Sequence, residues 1–243
     1  MGKQITRAII LAQGESTRWR NEHERKVPVP YKQLIPLLNG TILSRTIHQI
    51  TEIGISCIVI CTEKFRKYSN LNVPCYEIQG TPGTTPQGIS YTYHIGLWQN
   101  AERVICLFGD VIYSNNAINI INHDTFPVSI YGRLGGNEIT GKHSYVPLDG
   151  DSELFGISVY RDKFEEVIND IGSKTVARYK AKPLRGDRGK TMLWDIYHSN
   201  PPYLLQGLTQ FYDYTDDIDW CYEYYEFFPK LKECVLLDDE WIR

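Results

Sequence analysis

Apolar and polar positions along the chain follow two different periods. Residues 5–12 carry an unbroken apolar run, Ala8-Ile-Ile-Leu-Ala12, which predicts a buried strand. Residues 41–53 place Leu43, Ile47 and Ile50 on one helical face, and residues 56–61 return to a continuous apolar run. A helix over 63–70, a short strand over 75–78 and a helix over 86–98 with Pro86 in its first turn follow. A strand over 103–108 then ends in Gly109-Asp110. Strands that alternate with helices pair in parallel through crossovers, so the first half reads as an α/β sheet covered on both faces. Ligands of such sheets sit at the carboxyl ends of the strands.

From residue 126 the pattern changes. Residues 126–131, 144–147 and 155–160 read as strands separated by Gly-rich turns, an appended mixed-sheet region for a second substrate. A helix is predicted over 163–171. Residues 174–190 form a basic connector, with Lys174, Arg178, Lys180, Lys182, Arg185, Arg188 and Lys190 against Asp187. Helices follow over 191–198 and 216–227. The last is rich in Tyr and Trp and packs on the sheet or on a partner subunit, which keeps a homo-oligomer open.

Composition narrows the function classes. A chain of 243 residues with no repeat, linker or low-complexity tract suits one domain, 1–243. A net charge of −3 supplies no field to recruit nucleic acid or an anionic membrane surface. The run 8–12 is too short for a signal peptide or a membrane span. The six cysteines show no Cys-x-x-Cys pair and no zinc spacing with histidine. Cys57 and Cys61 read as small apolar residues of a buried strand, and a reduced, cytoplasmic setting follows.

The densest chemistry lies in Arg7-Ala-Ile-Ile-Leu-Ala-Gln-Gly-Glu-Ser-Thr-Arg18, followed by Lys32-Gln-Leu-Ile-Pro36. A strand that runs into a small polar loop lets backbone N–H groups close around phosphate oxygens, and Arg18 and Lys32 can neutralise their charge. Neither the ATPase P-loop pattern nor Gly-x-Gly-x-x-Gly is present, which excludes those two phosphate-binding designs. The segment resembles the signature of sugar-1-phosphate nucleotidyltransferases, Leu-Ala-x-Gly-x-Gly/Ser-Thr/Ser-Arg followed by Pro-x-Lys-x-Leu. Leu11, Ala12, Gly14, Ser16, Thr17 and Arg18, then Pro30, Lys32 and Leu34, meet it.

The resemblance implies a Rossmann-like, mostly parallel mixed sheet flanked by helices, the GT-A-like nucleotidyltransferase fold. Its nucleotide-binding half would be 1–125 and its acceptor-binding half 126–243. It implies transfer of a nucleoside monophosphate from a nucleoside triphosphate to a phosphorylated acceptor, with Mg²⁺ as cofactor and pyrophosphate released. Leu11, Ala12, Gly14, Glu15, Ser16 and Thr17 would hold the nucleotide, with Arg18 on the leaving pyrophosphate and Lys32 at the α-phosphate. Asp110 would be one metal ligand, although a strand-ending Asp is also a common turn residue. Asp213, in a run with Asp216, Asp217 and Asp219, would be the second; Asp217 is the alternative, and Thr215 and Asp216 would cap the next helix.

The loop 79–87 would meet the base through Gln79, Gly83 and Thr84, or is a plain Pro/Gly turn. For the acceptor, Gly156 resembles the family's glycine under the sugar. Leu193-Trp194-Asp195 is similar to an element of the phosphocholine cytidylyltransferase branch, or is a core Trp beside a solvated Asp. The acceptor is thus a sugar phosphate or a phosphocholine-like compound. None of the six histidines lies in a motif, and an acceptor phosphate needs no general base. Two other classes stay open: a GT-A-type glycosyltransferase and a nucleotide-binding regulatory subunit without turnover.

Overall fold

A computed structural model describes residues 5–14, 16, 19, 29–78, 85–139, 153–180, 188–218 and 221–240. Its strands are β1 (Thr6–Leu11), β2 (Pro36–Leu37), β3 (Gly40–Thr41), β4 (Ser56–Cys61), β5 (Cys75–Glu77) and β6 (Arg103–Phe108). They continue with β7 (Val111–Ile112), β8 (Val128–Arg133), β9 (Glu153–Tyr160), β10 (Leu208–Gln210) and β11 (Asp216–Asp217). The α-helices are α1 (Ile42–Glu52), α2 (Glu63–Arg66), α3 (Thr85–His94), α4 (Asn115–His123), α5 (Phe164–Lys180), α6 (Arg188–Ser199), α7 (Cys221–Glu226) and α8 (Phe228–Glu240).

Seven strands form one sheet in the order β10-β8-β9-β6-β1-β4-β5. β1 pairs in parallel with both β4 and β6, and β9 runs antiparallel between β6 and β8. The central strands are buried on both faces, as their continuous apolar sequences require. The expected α/β architecture is present, mostly parallel and flanked by helices.

Several elements differ from the sequence expectation. The later strands do not form an appended region; β8, β9 and β10 hydrogen-bond into the same sheet as β1. The strand expected over 144–147 lies outside the described residues. The basic connector is helical at both ends, since α5 continues to Lys180 and α6 begins at Arg188. Charged side chains are good helix formers, so a run of Lys and Arg marks an exposed helical stretch as readily as a loop.

Helices α4 and α8 carry no expectation from the sequence, yet their signals exist. Ser114 caps α4 by accepting from Ala117 N at 2.8 Å, and Ile118 and Ile121 fall on its buried face. Pro229 sits in the first turn of α8, and Leu231 and Val235, four residues apart, are buried.

A second, smaller apolar cluster binds the motif-bearing segments together. Trp19, Ile35, Leu37, Ile42, Ile112, Tyr214, Ile218, Phe228, Leu231 and Val235 pack there, away from the main sheet core. The aromatic stretch therefore packs within the chain, with Tyr224 edge-on to Trp19 at 5.9 Å and stacked on Phe228 at 4.9 Å.

Candidate functional site

The amino-terminal loop leaves the sheet at the carboxyl end of β1. Ala12 is fully buried and its N–H still donates to the Ile60 carbonyl at 2.8 Å, so the sheet holds the chain one residue past β1. At the far side Trp19, also fully buried, donates from Nε1 to the Val29 carbonyl at 2.8 Å. The loop between is therefore tied at both ends. Ser16 has φ +53°, the left-handed conformation that glycine adopts freely, at the position where the family pattern allows glycine or serine. Its Oγ accepts from Lys32 N at 3.3 Å, which joins the loop to the short 3₁₀ turn Lys32–Leu34. Gly14 is exposed, and a Cβ there would meet Gln33 Nε2 at an ordinary 3.7 Å. Crowding by the described protein atoms does not demand glycine at that position.

Gly109 brings the next carboxylate alongside. The register pairs Leu11 with Phe108, and Gly109 N donates to Leu11 O at 3.0 Å. A Cβ on Gly109 would press on Leu11 O, Ala12 Cβ and Ile10 Cγ2 at 3.1, 3.2 and 3.3 Å, so a larger residue would push this turn away from the loop. Asp110 follows, and its Oδ2 lies 2.7 Å from Lys32 Nζ, with the side chains 20% and 9% exposed. Two residues assigned separate roles from the sequence, one for phosphate and one for metal, are thus an ion pair.

The acidic run takes a different course from the expected strand-turn-helix. Residues 216–217 form β11, antiparallel to β7, with Asp216 opposite Ile112 and Asp217 opposite Val111, where a helix was expected. Ladder bonds and a buried ion pair to Arg133 outweigh the capping role expected of Thr215 and Asp216. Thr215 Oγ1 instead accepts from Ser114 N at 3.0 Å.

The two expected metal ligands have different neighbours. Asp213 Oδ2 accepts from Ser114 Oγ at 2.6 Å and Asn116 Nδ2 at 3.3 Å, while its Oδ1 accepts from Thr215 N at 2.9 Å. Asp110 thus stands beside Lys32, and Asp213 beside the start of α4. Asp217, the alternative, is buried and pairs across the ladder with Val111, the neighbour of Asp110.

The acceptor candidates lie on β9 and α6. Gly156 is buried in β9, where a Cβ would stand 2.6 Å from Cys106 O, so its lack of a side chain serves close strand packing. Asp195 is half-buried on α6, a helix anchored by the fully buried Leu193 and Ile196. The side chain of Trp194, and Glu15, Thr17, Arg18, Gln79, Gly83 and Thr84, lie outside what the structure describes.

Sequence reasoning missed the groups that hold the acidic run. Arg133 and Asn137 bind Asp216. Tyr214 donates its hydroxyl to Asp238 of α8, which also accepts from Asn115 N at 2.7 Å. Arg45 reaches Asp239 at 2.8 Å and the Tyr113 carbonyl. Burial pushes the Tyr214 phenol above its ordinary range; Asp238 adds to the rise and Arg45 offsets part of it. These partners come from distant segments, and no local spacing announces them.

No family model matches the chain, and no curated protein matches it. Solved structures do. Rv0371c from Mycobacterium tuberculosis H37Rv superposes with a TM-score of 0.59 at 15% identity over 96% of this chain and 100% of that one. A second structure of Rv0371c, complexed with manganese, gives 0.50 at 16% over 87% and 88%. The nucleotidyl transferase Mth528 from Methanothermobacter gives 0.57 at 15% over 99% of both chains. The inositol-1-phosphate CTP transferase from T. maritima gives 0.55 at 12% over 95% and 98%. At such identities the likeness establishes the fold.

Proposed function

We infer that this chain is a nucleotidyltransferase, moving a nucleoside monophosphate from a nucleoside triphosphate to a phosphorylated small-molecule acceptor. The observation that carries the reading is one convergence at the carboxyl ends of β1 and β6. There the left-handed Ser16 turn hydrogen-bonds the Lys32 backbone, and the Lys32 ammonium pairs with Asp110 at 2.7 Å. A loop of backbone N–H groups, a cation and a carboxylate at a strand-end crevice suit a triphosphate and its counter-ion. The nucleotidyl and CTP transferases among the fold's neighbours support the same reading.

In the reaction, an anionic phosphate oxygen of the acceptor bonds to the α-phosphorus, the bond from that phosphorus to the bridging oxygen breaks, and pyrophosphate leaves. Backbone N–H groups of the 14–17 loop and Arg18 hold the departing pyrophosphate. Lys32 exchanges Asp110 for a phosphate oxygen when nucleotide enters and offsets charge that builds at the α-phosphate. The attacking oxygen is already an anion, so no side chain has to remove a proton.

The acidic end of the site fits a hard divalent cation. Among the described residues no group of three or more His, Cys, Asp or Glu could hold a metal alone. One or two carboxylates completed by water and substrate phosphates is, however, the usual Mg²⁺ arrangement, and the manganese complex of Rv0371c is in keeping with it. Asp110 and one carboxylate of the acidic run, Asp217 or Asp213, are the residues that would hold the ion. When bound, such an ion neutralises the phosphates and orients the reactants. Use of a triphosphate, together with free thiols at Cys57, Cys61, Cys75, Cys106 and Cys234, suits a cytoplasmic enzyme.

The test is a screen of four ribonucleoside triphosphates against sugar phosphates, inositol 1-phosphate and phosphocholine, with Mg²⁺ or Mn²⁺, reading pyrophosphate release. Release that requires one triphosphate and one acceptor is the expected result. Nucleotide binding without release from any pair would favour a regulatory subunit. Turnover confined to preformed nucleotide sugars would favour a glycosyltransferase.

A further inference from the structure

Arg133 ends β8 with only 4% of its surface exposed. Its Nη1 donates to the Thr215 carbonyl at 2.8 Å and its Nη2 to Asp216 Oδ1 at 3.2 Å. Asn137 Nδ2 donates to the second oxygen, Oδ2, at 3.0 Å, and Asp216 is 1% exposed. Arg133 Nε donates to the Gly135 carbonyl at 3.2 Å, and the guanidinium lies 5.6 Å from the Phe155 ring centre. Desolvating such a pair costs about as much as its attraction returns, so stability alone does not explain a charge pair this deep. Its mechanical effect is specific. It grips two successive residues of the acidic run immediately before Asp217, on the strand that pairs Asp217 with Val111, the residue that follows Asp110 in the chain.

We propose that Arg133 is a positioning residue for the cation-holding end of the site. Acting through Thr215 and Asp216, it sets the stance of the acidic run against Asp110 and thereby the affinity for a divalent ion. The inference rests on the nucleotidyltransferase reading, in which Asp110 and a carboxylate of the run hold that ion. Arg133 and Asp216 cancel each other's charge, so their influence on the ion is geometric. Asn137 belongs to the same device, since it holds the carboxylate oxygen that Arg133 does not reach.

The experiment is titration of the whole protein with Mn²⁺, counting free ion by electron paramagnetic resonance, in wild type, Arg133→Lys, Arg133→Met and the double variant Arg133→Met with Asp216→Asn. Circular dichroism checks that each variant is folded. The double variant removes both charges together, so no buried carboxylate is left unpaired should Arg133→Met alone fail to fold. Folded variants lacking Arg133 should hold Mn²⁺ about tenfold or more weakly, the usual effect of losing a group that orients a ligand. Arg133→Lys should recover part of the affinity, and the metal concentration for half-maximal turnover should move more than kcat. A folded double variant that binds Mn²⁺ within twofold of wild type overturns the inference while leaving the function reading intact. Wild-type protein that binds no Mn²⁺, with or without nucleotide, overturns the metal-site reading and this inference with it.

Discussion

The Lys32–Asp110 pair allows a quantitative test of whether the two residues form one unit before substrate arrives. At 2.7 Å, full attraction is roughly 1.5 kcal/mol at the dielectric of water and roughly 6 kcal/mol at an effective dielectric near 20. The Asp110 side chain is 20% exposed and that of Lys32 is 9% exposed, so the pair lies between the surface and buried limits. Desolvation removes part of the gain, leaving a net coupling of about 1–3 kcal/mol. Lys32→Met, Asp110→Asn and the double variant close a thermodynamic cycle measured by urea denaturation, with a coupling in that range expected. The same proteins assayed for pyrophosphate release should each lose about 10²-fold or more in kcat, and the double variant should lose less than the product of the two. Stability effects that add to within about 0.5 kcal/mol would show that the contact carries no energy, and the proposed exchange of Asp110 for phosphate would lose its basis.

Three further outcomes follow from the geometry. Gly156→Ala puts a methyl 2.6 Å from Cys106 O in mid-sheet, which should cost about 2–3 kcal/mol and lower Tm by roughly 5–10 °C; an unchanged melt would refute the close-approach argument. Asp217→Asn should weaken Mn²⁺ binding about tenfold, whereas Asp213→Asn should cost about 1 kcal/mol of stability and leave metal affinity alone; the reverse pattern would return Asp213 to the metal site. Burial raises the Cys57 and Cys61 thiols from 9.0 to about 12, so the native state keeps protons that the unfolded chain releases. Stability is therefore complete below pH 9.0 and declines toward pH 12, with the buried Tyr214 phenol adding to the loss above its ordinary value of 10.0. The urea midpoint should fall between about pH 7.5 and pH 10.5, and a constant midpoint would contradict this sign.

How much of this was legible beforehand depended on the range of the interactions involved. The strand β1, its exit loop, the apolar face of helix α1 and the strand ending at Gly109 were readable, because apolar runs and glycines act within a few residues. Asp110 could be placed at a strand end on the same grounds. The partnership of Lys32 with Asp110 needed the parallel register of β1 and β6, which brings their exits together across almost a hundred residues of chain.

The acidic run was opaque for a related reason. Asp213, Asp216 and Asp217 look interchangeable in sequence, and local propensity alone suggested a helix start there. Their roles diverge only because Ser114, Arg133 and the β7 ladder each select a different one. Local chemistry thus determined the α/β sheet and the polar, glycine-containing segment that follows its first strand. Which partner each carboxylate of the acidic run takes was decided by long-range pairing, because ladder bonds and buried ion pairs exist only between segments that folding has already brought together.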